Sequence, residues 1–158
     1  SHCAHFVAHA LNIQVGKVCT GLLEWKETKG TTRASVRSNQ KAGMQGFLGA
    51  STRVNEIFNS LPAGSKGDWD SRSAGDCLIY AVPLDYVPLD RSTMSDRPKK
   101  HIGIFSQDSV WHYGNSNDKV RCDPLEQFMQ KFRSQYGAST IFLWSVIPDV
   151  GAACVHAG

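Results

Sequence analysis

At 158 residues, with 41% apolar and 20% charged side chains, the chain has the length of one domain and can bury a core without disulfide staples. That composition excludes a disordered or low-complexity protein, and a net charge of +3 with scattered basic residues excludes a nucleic-acid footprint. The longest apolar stretches are strand-sized, so no membrane insertion is expected.

In chain order, Ser1 to Leu11 predicts an amphipathic helix, with Gly16 as its stop. At about 100° per residue Cys3, Phe6, Val7, Ala10 and Leu11 fall on one side, and His2, His5 and His9 on the other. Val18 to Trp25 predicts a further helical or extended segment, and the polar stretch Lys26 to Gln40 an exposed loop. Helical spacing resumes through Met44, Phe47 and Leu48 and defines a helix over Arg53 to Leu61, ended by Pro62 and Gly64. Ala63 to Ser73 reads as loop. Cys77 to Val82, apolar after the Ala74-Gly75-Asp76 turn, predicts the first buried strand. The proline-containing stretch Pro83 to Pro98 predicts a long connection with room for a short edge strand.

His101 to Phe105 and Val110 to Gly114 predict a β-hairpin closed by Ser106 to Ser109. Asp123-Pro124 predicts a helix start, and Leu125, Phe128, Met129 and Phe132 carry that helix to Tyr136. Thr140 to Ile147 predicts the last strand. Helices come early and most strands late, which defines an α+β single domain over 1–158 with N-terminal helices packed on an antiparallel sheet.

Five cysteines at wide, irregular spacing form no C-x-x-C pair for zinc or redox chemistry. Cys19, Cys77 and Cys154 read as structural and Cys122, in a polar stretch, as exposed; an oxidising compartment would permit a disulfide among these four. Cys3 is different, because the positive end of a helix dipole favours a thiolate in the first turn. Against this stands the general preference of cysteine for the core.

A thiol nucleophile needs a base within hydrogen-bond reach and a polar group to orient that base. His101, opening a strand, fits the base. His112, eleven positions on in the partner strand, fits the orienting group, with Asn115 and Asn117 as alternatives because strand alternation decides which side chain faces His101.

The blocks Cys3-Ala4-His5-Phe6-Val7, Ala74-Gly75-Asp76-Cys77-Leu78-Ile79-Tyr80, and His101-Ile102-Gly103-Ile104-Phe105 followed by Val110-Trp111-His112 resemble, in that order, the hallmark blocks of NlpC-type cell-wall cysteine peptidases. The resemblance implies a papain-like α+β core, Cys3 as nucleophile, His101 as general base and acid, and His112 as orienting residue. It implies cleavage of an amide in the peptide stem of bacterial peptidoglycan, commonly the D-glutamyl–diaminopimelate bond, without cofactor or metal. The sequence departs from the family at His2, where Asp is common before the nucleophile, and at Ala74, where the turn usually has proline. Length and insertion-like loops are also similar to amidase effectors that bacteria deliver into the periplasm of rivals. For such an effector the expected location is the periplasm or cell wall, and an expected partner is an immunity or inhibitor protein. No leader is visible; a chain starting at Ser1 is expected to have lost its natural N-terminus.

Two other readings compete. His5 and His9 at i and i+4 have the spacing of a zinc site, although no Glu lies between them. Alternatively the fold is a non-catalytic cell-wall or protein-binding module, with Trp69, Trp111, Tyr80 and Tyr113 lining its groove.

Overall fold

The structure is a computed structural model that describes residues 3–11, 54–114 and 119–148. The expected elements between residues 12 and 53, Asn115, Asn117, Cys19 and Cys154 lie outside the described residues, as do His2 and the side chains of His5 and His9.

The architecture is α+β. Helix α1 (Cys3–Leu11) and the short α2 (Val54–Asn59) precede a six-stranded antiparallel sheet formed by β1 (Lys66–Asp68), β2 (Cys77–Pro83), β3 (His101–Ser106), β4 (Ser109–Gly114), β5 (Lys119–Pro124) and β6 (Thr140–Ser145), in the spatial order β1-β6-β2-β3-β4-β5. Helix α3 (Leu125–Tyr136) separates the last two strands in sequence.

Strand β2 reads as an unbroken apolar run because both faces of the sheet are covered and every residue of it is buried. Leu78, Tyr80 and Val82 face one layer, where α1 and α2 supply Phe6, Val7, Ile57 and Phe58. Cys77, Ile79 and Ala81 face the other, where α3 supplies Phe128, Met129 and Phe132. The same alternation runs through β3: Ile102 and Ile104 point to the α1 layer and Phe105 to the α3 layer. On α1 the buried set extends past the expected stripe to Ala4 and Ala8. Tyr80 and Tyr113 are core residues rather than groove-lining ones, Tyr80 hydrogen-bonded through its hydroxyl to Ser145 Oγ at 2.6 Å.

The hairpin turn places Gln107 at φ 52° and Asp108 at φ 63°, two consecutive left-handed residues whose twist matches that of the flanking strands. Asp108 O also accepts the first backbone N–H of α3, from Leu125 at 3.1 Å, which ties the start of that helix to the tip of the hairpin.

Three expectations are corrected. The stretch Ala63 to Ser73 is not all loop, because Lys66–Asp68 pairs with the end of β6 as an edge strand too short to show periodicity. Asp123-Pro124 does lead into the expected helix, with Pro124 at its N-cap, but it has a second role. Both residues complete β5, a strand absent from the sequence reading, and α3 begins one residue later. The connection between β2 and β3 holds a single-turn helix over Leu84–Tyr86 and no strand.

Gly103 is where β3 and β4 lie closest. A Cβ there would stand 2.5 Å from Val110 Cγ1, 3.0 Å from the Trp111 carbonyl oxygen and 3.2 Å from His112 Cβ. Overpacking of this kind costs about 1–3 kcal/mol. Gly103→Ala is therefore expected to lower the melting temperature by about 2–4 °C for each kcal/mol lost, read by thermal denaturation; a melt indistinguishable from wild type would show that the strands separate freely here.

Candidate active site

His101, His112 and Asp123 come from three successive strands. With Ile104 opposite Trp111, the next step of the ladder sets Gly103 against His112, so that His101 is the diagonal neighbour of His112. In the next pair Val110 is opposite Asp123 and His112 opposite Arg121, so Asp123 is again diagonal to His112. Residues two apart share a face, and the three side chains project together toward α3. Gly103 leaves the ground between the two imidazoles open.

The result is a continuous chain of hydrogen bonds. His101 Nε2 is 2.8 Å from His112 Nδ1, and His112 Nε2 is 2.7 Å from Asp123 Oδ2. Arg121 closes the far end, donating from Nε to Oδ2 and from Nη2 to Oδ1, both at 3.1 Å. A carboxylate only accepts, so His112 carries its proton on Nε2 and offers the lone pair of Nδ1; His101 then donates from Nε2 and keeps an unprotonated Nδ1. The carboxylate thus sets the tautomer of both rings.

The surroundings keep those rings neutral. His101 stacks on Phe132 with centroids 4.3 Å apart and meets His112 edge-on at 4.9 Å, while His112 meets Phe128 edge-on at 5.0 Å. Burial is the main cause that holds His101 well below the ordinary imidazole range, with the charges of His112 and Lys131 adding to it. His112 is also lowered by burial, against the opposing pull of Asp123. Asp123 itself is held well below the usual carboxylate range, chiefly by its bond to His112 and then by Arg121.

Cys3, the first residue of α1, is fully buried, and α1 packs on β3 and β4. It belongs to the layer of Ile102 and Ile104, on the sheet face opposite the imidazoles. Burial lowers Lys100, the residue before His101, to about 8, and burial pushes up Tyr136, the last residue of α3, whose ring is 5.3 Å from Phe132. The other described thiols differ. Burial pushes Cys77 up to about 11, as expected of an inert core cysteine, and Cys122 is free and exposed. No disulfide joins the three described cysteines.

Among the described residues no group of three or more His, Cys, Asp or Glu side chains is arranged to hold a metal. No described helix is long and apolar enough to cross a membrane. Asp123 was missed by the sequence reading, although one signal pointed to it: His101, His112 and Asp123 recur at a constant separation of 11 residues, the repeat of two consecutive hairpin steps. Comparison with family models, curated proteins and solved structures finds no match to this chain.

Asp123 is expected to contribute about 1.5–3 kcal/mol of stability at neutral pH, as a hydrogen-bonded charged group does. Its folded-state pKa lies below the unfolded value of about 3.9, so that contribution is present above about pH 4 and disappears as the pH falls toward the folded-state value. Asp123→Ala should be less stable than wild type in urea denaturation at pH 7, with the gap beginning to narrow below about pH 4 and still present at pH 3; a gap that closes completely by pH 3 contradicts this assignment.

Proposed function

We propose that the protein is a thiol-dependent amidase with a papain-like, NlpC-type core that hydrolyses an amide in the peptide stem of bacterial peptidoglycan, the D-glutamyl–diaminopimelate bond being the first candidate. The observation that carries this reading is the relay from Asp123 through His112 to His101, which leaves His101 Nδ1 unprotonated at the start of β3, the strand on which α1 packs. A relay of two neutral imidazoles ending on a carboxylate is the arrangement a general base requires, and its tautomers suit removal of a proton at one named atom.

In the reaction, His101 Nδ1 takes the thiol proton as the sulfur attacks the scissile carbonyl. The C–S bond forms and the carbonyl π electrons move onto oxygen. The backbone N–H of Cys3 at the start of α1 is a donor for that oxyanion. Collapse of the intermediate breaks the C–N bond, the departing amine takes the proton from His101, and a thioester remains. Water then attacks the thioester, giving its proton to His101, and the thiol is released as the carboxylic acid leaves. Throughout, Asp123 stabilises the positive charge that appears on the imidazole pair.

The working location on this reading is the periplasm or cell wall, and a protein that covers the cleft, such as an immunity protein, is the partner it implies. The competing reading, a binding module without chemistry, is weakened because two of the four aromatic residues it needs, Tyr80 and Tyr113, are buried in the core.

Mass spectrometry of purified peptidoglycan fragments after incubation tests the proposal. Wild type is expected to release stem fragments that identify the bond, Cys3→Ala to release none, and His101→Ala to be slower by about 10²–10⁴-fold, the usual share of a general base. Intact fragments after incubation with wild type would remove the amidase reading.

A further inference from the structure

A cavity separate from the relay lies between the short segment Trp69–Ser71, the start of β6 and helix α3. Its volume is about 520 Å³, within the range of small-molecule sites. Neither Cys3 nor His101, His112 or Asp123 lines it.

Four charged side chains line the cavity, two of each sign. Arg91 and Asp68 already satisfy each other, Nε donating to Oδ1 at 3.0 Å, and Arg91 Nη1 donates to the Pro88 carbonyl oxygen at 3.3 Å. The backbone of Arg91 is left-handed at φ 57°, a conformation that costs an L residue energy and clusters at ligand clamps. The second pair is unmatched. Asp70 and Arg133 face the same cavity, yet no ion pair joins them, and among the described residues neither pairs with any other charged side chain. The Arg133 guanidinium lies instead 5.1 Å from the centroid of the Phe142 ring.

This lining selects a class of ligand. A phosphate or a bare cation would meet charges of its own sign on the same walls, which opposes its binding. Trp69 already carries the Arg72 guanidinium at 4.4 Å and Phe142 that of Arg133, so both rings serve as apolar walls rather than as platforms for a sugar. A molecule with one anionic and one cationic end, joined by a short apolar span, satisfies all of them. Its carboxylate takes the planar fork of Arg133, its ammonium takes Asp70, and its apolar part lies on Phe142 and Trp69. A dipeptide with free ends spans about 7 Å.

We propose that this cavity binds short peptides with free amino and carboxyl ends, anchored by Arg133 and Asp70. The proposal goes beyond the amidase reading and does not rest on it.

Isothermal titration calorimetry of the full chain tests it, at neutral pH and low ionic strength, where screening is weak. The probes are L-alanyl-L-leucine, its N-acetyl form and its C-terminal amide. The free dipeptide is expected to bind saturably, and each capped form to bind about tenfold or more weakly, the loss expected when one charged hydrogen bond is removed. Arg133→Met is expected to bind the free dipeptide no better than the amide, and Asp70→Asn no better than the N-acetyl form. Both side chains are exposed, and thermal melts show which variants are folded at the assay temperature. No saturable binding of the free dipeptide overturns the proposal. So do capped forms that bind as tightly as the free one, which decides the matter even if neither variant folds, and folded variants that bind like wild type. A chain that binds the dipeptide and cleaves no peptidoglycan fragment rejects the amidase reading alone.

Discussion

The 2.8 Å hydrogen bond between His101 and His112 depends on a diagonal step across two antiparallel strands, and most of the described structure can be understood as what makes that step available. Diagonal neighbours in a sheet are too far apart for short side chains and within reach of rings. A second diagonal step of the same kind brings Asp123 to His112. Between the rings the backbone of β3 must present no side chain of its own, which is the position Gly103 occupies against Val110 and His112. A one-residue slip in either hairpin would send a member of the relay to the opposite layer.

Both layers serve this geometry in different ways. Helix α3, tied at its first turn to the hairpin tip and capped at its end by Gly137 at φ 109°, lays Phe128 and Phe132 against the imidazoles. Those phenyl rings exclude water and so keep the histidines neutral, while the charged groups of the relay, Asp123 and Arg121, sit at its outer end in β5. On the other side α1 carries Cys3 into the layer built on Ile102 and Ile104, and α2 carries Asn55 to Lys100. The electrostatic contrast between a neutral imidazole pair on one side and a buried ammonium on the other follows from placing residues 100 and 101 at the boundary of the two layers.

Several of these features could be read from the residues. The apolar run at Cys77, the hairpin around Gln107 and Asp108, the spacing of Phe128, Met129 and Phe132 and the helical stripe behind Cys3 all express local periodicity, and each element formed within a residue or two of its expected bounds. His101 and His112 were also legible, because a hairpin with a short turn brings its two strands together whatever the rest of the chain does. Lys66–Asp68 and β5 were not. A three-residue edge strand has no period to detect, and Lys119–Pro124 alternates too few apolar residues to distinguish it from a loop. Asp-Pro is a common helix opening, and that local preference hid the strand role of Asp123.

The order of elements, the α+β class, the residue types able to run thiol chemistry and the pairing of two histidines on one hairpin are properties of short stretches of chain, set by side-chain periodicity and turn chemistry. Which side of the sheet each residue faces, the completion of the relay by Asp123, and the burial of Lys100 depend on strand register and on which helix covers which layer. Those are long-range choices, made by the packing of apolar faces brought together from distant parts of the sequence.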